Sequence, residues 1–399
     1  METKRDSKNQ IAQELVNDPK FLFRLGKTIG ELGVVHERRN RLIVILACIT
    51  MFLRDKVSIL LSGPSSCGKS TIVETIIKLC PPELLIKRVS FSRKAFAYGK
   101  EPLDGRILYI TEYRGGKEAQ LLLRILLSEA ELSHEFTTGR RTEVAQRLGS
   151  PVVLTTTTDE TIFEDDSTRF LTIRVSETPS KILAVLKSAI SRASAHEEPG
   201  AEVWQEAIRL IAKRAKKPFT FPDWLEFVAE QLPRNNVRVQ RDWKRFLASL
   251  QAAALCRPQT GSSNEVTFAD YCVVYRILNL AFTATAHAVN ENEIAIQKAV
   301  KKLAREPGHA VTIRDIRDEL SWTDGMVYKY VRLAAKHGLV KFEPGTRERN
   351  IKRLLPTDET VGDFLPNPKR VLEHIGRGKG KTEYVDPLTG ETKRLMTGQ

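Results

Sequence analysis

Several things are scarce in this sequence, and each scarcity excludes something. Its 399 residues hold five cysteines, Cys48, Cys67, Cys80, Cys256 and Cys272, with no paired or metal-ligand spacing among them. That pattern excludes a disulfide framework and a thiolate zinc site, and it reads as reduced, mostly buried thiols in a cytosolic protein. Long apolar runs are missing too. The longest, Leu42–Leu53, lies between Arg41 and Arg54 and falls short of the roughly 20 residues a membrane-spanning helix needs. It reads as a buried helix in front of a core strand. Residues 1–18 are charged throughout and carry no signal-peptide core, so a soluble, cytoplasmic protein without membrane contact is expected. Acidic residues are outnumbered, 49 against 63 Lys and Arg, for a formal net charge of +14 and a pI near 9.5. The apolar fraction of 41% is ordinary and lets two or three domains each bury a core. The positive excess points instead to a polyanionic partner, DNA first among them.

What is present is organised around VSILLSGPSSCGKST, residues 57–71. Val57 to Leu61 reads as a buried parallel strand. Gly63-Pro64-Ser65-Ser66-Cys67-Gly68-Lys69-Ser70 meets the pattern GxxxxGK[ST], and a helix-forming stretch from Thr71 to Leu79 follows. Strand, glycine-rich loop and helix in that order form a phosphate-binding loop: backbone N–H groups close around a polyphosphate at a helix N-terminus. Lys69 is placed to reach the β and γ phosphates of ATP and Ser70 to coordinate Mg²⁺. Cys80-Pro81-Pro82 stops the helix, since proline lacks a donor and fixes φ.

A second strand, Arg106–Thr111, ends at Glu112, a glutamate suited to activating the water that attacks the γ-phosphate or, more plainly, to capping the strand. Thr111 stands where an aspartate is usual in such strands. Lys117–Ala130 has helical periodicity. Residues 131–148 alternate about Gly139, which predicts a β-hairpin whose tip, Arg140 and Arg141, either reaches a phosphate backbone or is a solvated turn. A third strand, Pro151–Thr158, turns from apolar to polar, so Thr157 or Thr158 is placed to hold the attacking water or the γ-phosphate. Arg169 directly precedes a last strand, Phe170–Val175. An arginine there completes a neighbouring subunit's site or pairs locally with Asp165 or Asp166.

Phosphate loop, acidic strand end, polar strand end and arginine before the final strand together resemble an AAA+ ATPase. Glu31–Glu37 (ELGVVHE), Leu122–Glu131 (LLRILLSEAE) and Asp166–Phe170 (DSTRF) narrow the likeness to the MCM-like helicase ATPases of phages and mobile genetic elements. Members of that group commonly occur fused to, or beside, a primase. The resemblance spans about residues 20–285. It implies an α/β fold: a P-loop AAA+ core with a three-layer parallel sheet (41–179) behind an N-terminal helical segment (1–40). An all-helical lid (180–285) would follow. In the lid helix Val237–Leu255, Arg241, with Arg238 as the close alternative, falls where a second sensor arginine would lie. The group also implies a homo-oligomeric, hexameric ring. No primase active site or zinc-ligand cluster is present, so a primase would be a separate chain.

Residues 290–356 have the order of a winged helix, three helices and then a hairpin. Its third helix would place Tyr328, Lys329 and Arg332 in the major groove, and Lys341, Arg347, Arg349 and Lys352 would line the wing. Such domains also serve as protein contacts. Residues 357–399, with the basic run Gly376–Lys381, read as an extended flexible tail. The expectation is an ATP-hydrolysing ring helicase, translocase or loader in mobile-element replication. A DNA-bound AAA+ switch and a phage-defence ATPase are the alternatives.

Overall fold

The computed structural model describes residues 2–89, 101–113, 117–138, 141–158, 169–175, 177–193, 200–233, 238–259, 261–287, 289–304, 311–343, 353–357, 361–376 and 380–397. Its centre is a five-stranded parallel sheet. The strands are β1 (Ile59–Ser62), β2 (Leu85–Arg88), β3 (Ile107–Ile110), β6 (Val152–Thr157) and β7 (Leu171–Arg174), in the spatial order β2-β3-β6-β1-β7. Every residue of β1, β3 and β6 is buried. Both faces of a parallel strand are covered, so these segments read as unbroken aliphatic and β-branched runs. Between β3 and β6 the chain forms α5 (Lys117–Glu129) and an antiparallel hairpin of β4 (Glu131–Thr138) and β5 (Arg141–Leu148), registered from Glu131 opposite Leu148 to Thr138 opposite Arg141. The hairpin expected over 131–148 is therefore present. Gly139 and Arg140 of its tip lie outside the described residues.

Parallel strands need crossovers, and α4 (Lys69–Lys78) supplies the one between β1 and β2. Ahead of β1 in the chain come α1 (Glu2–Val16), α2 (Phe21–Glu31) and α3 (Arg38–Ile49). From Asn40 to Ile49, α3 is buried on every side, because α4 and two later helices enclose it. Those two are α9 (Val239–Leu255) and α10 (Phe268–Ala286). They follow α6 (Pro179–Ala193), α7 (Ala201–Arg214) and α8 (Trp224–Glu230). The stretch read as all-helical also contains two short strands, β8 (Phe219–Thr220) and β9 (Asn264–Glu265), paired in parallel. One apolar core runs from Ala12 through the sheet to Phe282 and on to Leu372, so residue 179 marks no break in packing.

A second apolar cluster gathers α11 (Glu291–Leu303), α12 (Ile313–Leu320) and α13 (Asp324–Lys336). They pack with a small antiparallel sheet of β10 (Val311–Thr312), β11 (Val340–Phe342) and β12 (Arg353–Pro356), in the order β10-β12-β11. Local chemistry starts each helix. Asn290 and Thr312 form capping boxes with Glu293 and Asp315, and Thr323 accepts from the Met326 amide; such caps satisfy amides that have no partner inside the helix.

The flexible tail expected after residue 357 is not what the structure has. α14 (Pro368–Ile375) and a hairpin of β13 (Lys381–Val385) and β14 (Thr392–Met396) fold back onto the first core. Phe364, Leu365, Val371 and Leu372 are buried there, and His374 stacks on Phe227 at 4.0 Å. The basic, glycine-rich run hid this apolar spacing; its residues 377–379 lie outside the described residues. Among the described residues, no single helix is long and apolar enough to cross a membrane.

Candidate nucleotide site

The loop leaves β1, which lies between β6 and the edge strand β7, and turns into α4 on backbone geometry that favours glycine at two positions. Gly68, just before the helix, has φ of 92°, in the left-handed region, where a side chain is strained. At Gly63 a Cβ would lie 2.3 Å from the Val175 carbonyl oxygen, so close approach to the end of β7 excludes any larger residue. Lys69 is buried, and its ammonium donates to the Gly63 carbonyl at 2.8 Å and to the Pro64 carbonyl. Pro64, Ser65, Ser66, Ser70 and Thr71 are exposed around it, and Cys67 is buried beneath. Burial pushes the Cys67 thiol up, against the opposing pull of Lys69 and Lys181.

Strand order decides what shares this end of the sheet. β6 stands between β1 and β3, with Ser62 opposite Thr157 and the Gly63 amide donating to the Thr157 carbonyl at 3.3 Å. Thr157 is thus buried at the base of the loop, while Thr158 is exposed beyond it. Glu112 is exposed one strand further over, just past the end of β3. Thr111 is engaged elsewhere: its hydroxyl donates to the Val89 carbonyl at 3.0 Å and its carbonyl accepts from Thr156 Oγ1 at 2.6 Å.

Among the described residues no group of three or more His, Cys, Asp or Glu is arranged to hold a metal. Mg²⁺ needs no such group, since it takes one or two protein oxygens and completes its shell with phosphates and water. The exposed Ser70 hydroxyl and the Glu112 carboxylate are all-oxygen donors of that kind. One group near Ser70 was not read from the sequence. Tyr109, on β3, is buried, with no hydrogen-bond partner for its hydroxyl among the described residues, and burial raises its phenol while the neighbouring Ser70 opposes that shift.

A second lysine at the loop was also missed. Lys181, in the first turn of α6, is buried and donates to the Cys67 carbonyl at 2.9 Å and to Glu37 Oε1 at 2.5 Å. Asn40 donates to the other Glu37 oxygen at 2.6 Å and to the Arg174 carbonyl at 3.2 Å. Glu37 belongs to the ELGVVHE segment, but nothing local to Lys181 distinguishes it from a surface lysine at a helix start.

Arg169 stands at the other end of the sheet. Leu171 pairs with Ile59, the first residue of β1, whereas Arg174 pairs with Ser62, the last residue before the loop. Arg169 therefore precedes β7 at the edge remote from its own loop, where its Nε donates to Ser128 Oγ at 3.1 Å. Asp165 and Asp166 lie outside the described residues. At the start of α9, Arg238 and Arg245 both pair with the fully buried Asp242, at 3.3 and 2.7 Å, and burial lowers both guanidinium pKa values while Asp242 opposes. Arg238 is thus turned to Asp242, and Arg241, in the same turn, is exposed.

Of the residues read as DNA contacts, Tyr328, Arg332 and Lys341 are exposed. Lys329 is not: it is half-buried and lines a cleft with Pro64 of the loop, Glu177, Ile182 and Tyr330. Arg174 lies over the Tyr330 ring at 5.9 Å, and Arg39 pairs with the buried Glu291 at the start of α11. Burial raises the Glu291 carboxyl, against the pull of Arg39. Arg140, Arg347, Arg349 and Lys352 lie outside the described residues, as does the side chain of Arg141.

A phosphate loop after an interior strand of a parallel α/β sheet, with a lysine, a hydroxyl and a nearby glutamate at its mouth, defines a P-loop NTPase. Residues 6–213, just over half of the chain, match the family described as the MTBMA_p00010 P-loop domain, and the chain belongs to that family. No curated protein matches the sequence.

Proposed function

We propose that the chain is a DNA-dependent ATPase motor of the AAA+, MCM-like type. It would assemble as a hexameric ring and act as helicase, translocase or helicase loader in the replication of a mobile genetic element. The observation that carries this reading is the placement of Arg169. Lys69, Ser70, Thr157 and Glu112 share one end of the sheet, and Arg169 stands at the other. An arginine so placed serves a γ-phosphate only on a second copy, where its fixed charge offsets the charge developing during transfer. In this reading Glu112 would orient the attacking water, Thr157 would hold it or the γ-phosphate, and Ser70 would hold Mg²⁺, which would supply charge neutralisation to the phosphates.

The DNA part rests on the net charge of +14 and on the C-terminal unit. The reading of that unit as a winged helix draws on its three helices and β10-β12-β11 sheet, with the exposed Tyr328 and Arg332 on the third helix. The hairpin of β4 and β5 is the element we assign to the ring's pore. A second reading, an ATPase switch on DNA, draws on the cleft that Lys329 and Tyr330 share with Pro64, because a DNA-binding helix seated on the loop is set to respond to the nucleotide.

ATP-driven strand separation on a forked duplex tests the motor. Unwinding that stops with Lys69→Ala is expected. DNA-stimulated turnover without unwinding would favour the switch, and turnover indifferent to DNA would remove both. Affinity for DNA should fall steeply as salt rises, since phosphate contacts release counterions.

A further inference from the structure

α6 is an amphipathic helix whose apolar face is exposed. Of residues 179–192 only Lys181 is buried. Ile182, Leu183, Leu186 and Ile190 fall on one side at helical spacing, and they are 51%, 52%, 59% and 69% exposed. A surface helix normally turns such a stripe into its own core, and a contiguous apolar patch left in water marks a contact surface. We infer that the exposed face of α6 is the docking surface for a second copy of this chain, seated by the end of the sheet that carries Arg169. The inference rests on the shared-site reading of Arg169 and adds the surface that would bring it about.

Three observations select this occupant. First, α6 starts at the nucleotide loop, through the Lys181 contact to the Cys67 carbonyl, so whatever covers α6 lies beside the loop. Second, the Arg169 end has its own exposed aliphatics. Leu121 (54% exposed) and Ile125 (37%) line a shallow cleft with Arg124, Arg169, Ser128 and Glu129. Third, the two patches are different surfaces at opposite ends of one sheet. Pairing one with the other is head-to-tail and leaves a free patch of each kind, which is the contact that closes into rings. With α6 about 22 Å long, its stripe makes the apolar centre of such an interface and the flanking polar residues its rim.

The full-length chain with ATP is to be followed by sedimentation velocity. Ile190→Glu and Leu186→Glu change exposed positions and should leave the melting temperature as it is. Each is expected to raise the concentration needed for half-assembly about tenfold or more, the equivalent of losing one buried aliphatic side chain. A wild-type chain that stays monomeric with ATP, or glutamate variants that assemble normally, would overturn the inference. A second measurement does not depend on those variants folding. The five native cysteines are all buried, so an added surface thiol is the reactive one. Copies carrying Leu186→Cys should crosslink to copies carrying Ile125→Cys, and neither should crosslink to its own kind. Crosslinking of Leu186→Cys only to itself would overturn the head-to-tail arrangement. If the crosslink forms while mixed Arg169 and Lys69 variants recover no turnover, the surface stands and the shared site fails. Recovered turnover without the crosslink would overturn the surface and leave the shared site standing.

Discussion

Lys181 Nζ lies 2.9 Å from the Cys67 carbonyl oxygen, 114 residues away in the chain, and 2.5 Å from Glu37. The phosphate loop is therefore braced from behind by a buried ion pair that joins the segment before α3 to the start of α6. The amides of the loop must face a polyanion, so its carbonyls face the other way, and a buried cation is a fitting partner for one of them.

Removing that cation should unsettle both the fold and the site. Lys181→Met leaves Glu37 buried without its charge partner, and breaking such a pair costs on the order of 3 kcal/mol. The expected result is a lower melting temperature together with weaker nucleotide binding. Thermal denaturation with and without ATP separates the two effects. An unchanged KM for ATP in a variant that still folds would reduce Lys181 to a structural role.

Lys69→Ala should lower ATP turnover about a hundredfold or more, since it removes a fixed charge from the developing negative charge. Glu112→Gln should keep ATP binding and lose a similar factor, the usual contribution of a general base. Filter binding and phosphate release, measured on both variants, tell binding from chemistry. Near-normal turnover in Lys69→Ala would remove the site.

Arg169→Ala should cost about a thousandfold in turnover, yet mixing it with Lys69→Ala copies should restore part of the activity. In a mixed assembly, an intact loop on one subunit meets an intact arginine on the next. Turnover measured against mixing ratio should pass through a maximum, and a flat baseline would argue that Arg169 acts only within its own subunit.

Arg39 and Glu291 hold the first helix of the C-terminal unit to the core, and the carboxyl is raised by burial despite the arginine. Arg39→Ala removes the opposing pull, so the folded-state pKa of Glu291 rises further above its unfolded value. A group raised on folding stabilises most below its unfolded pKa and loses that contribution as pH climbs through the folded one. The variant's deficit, about 3 kcal/mol for a broken buried pair, should therefore be larger at pH 8 than at pH 5. Urea denaturation at the two pH values checks this, and a deficit that grows on acidification would contradict it.

Much of the site was legible because it is local. The strand at Ile59–Ser62 and the loop with Gly63 and Gly68 each depend on a few consecutive residues, whose backbone sterics and hydrogen bonds are set within one turn. The hairpin at 131–148 is of the same kind. The rest depends on residues distant in the chain. That β6 separates β1 from β3, that Lys181 meets Cys67, and that Arg169 lies across the sheet from Lys69 follow from how strands order around a common core, which no short pattern encodes. Composition misled at residues 357–399, where charge and glycine concealed four apolar side chains spaced to reach the main core. By itself, then, the sequence determined that a polyphosphate is bound and which loop binds it, because local geometry suffices for that. Only the tertiary structure decided which groups share that end of the sheet and which arginine cannot reach it, and that α6 presents an apolar face to water, because long-range packing alone sets these.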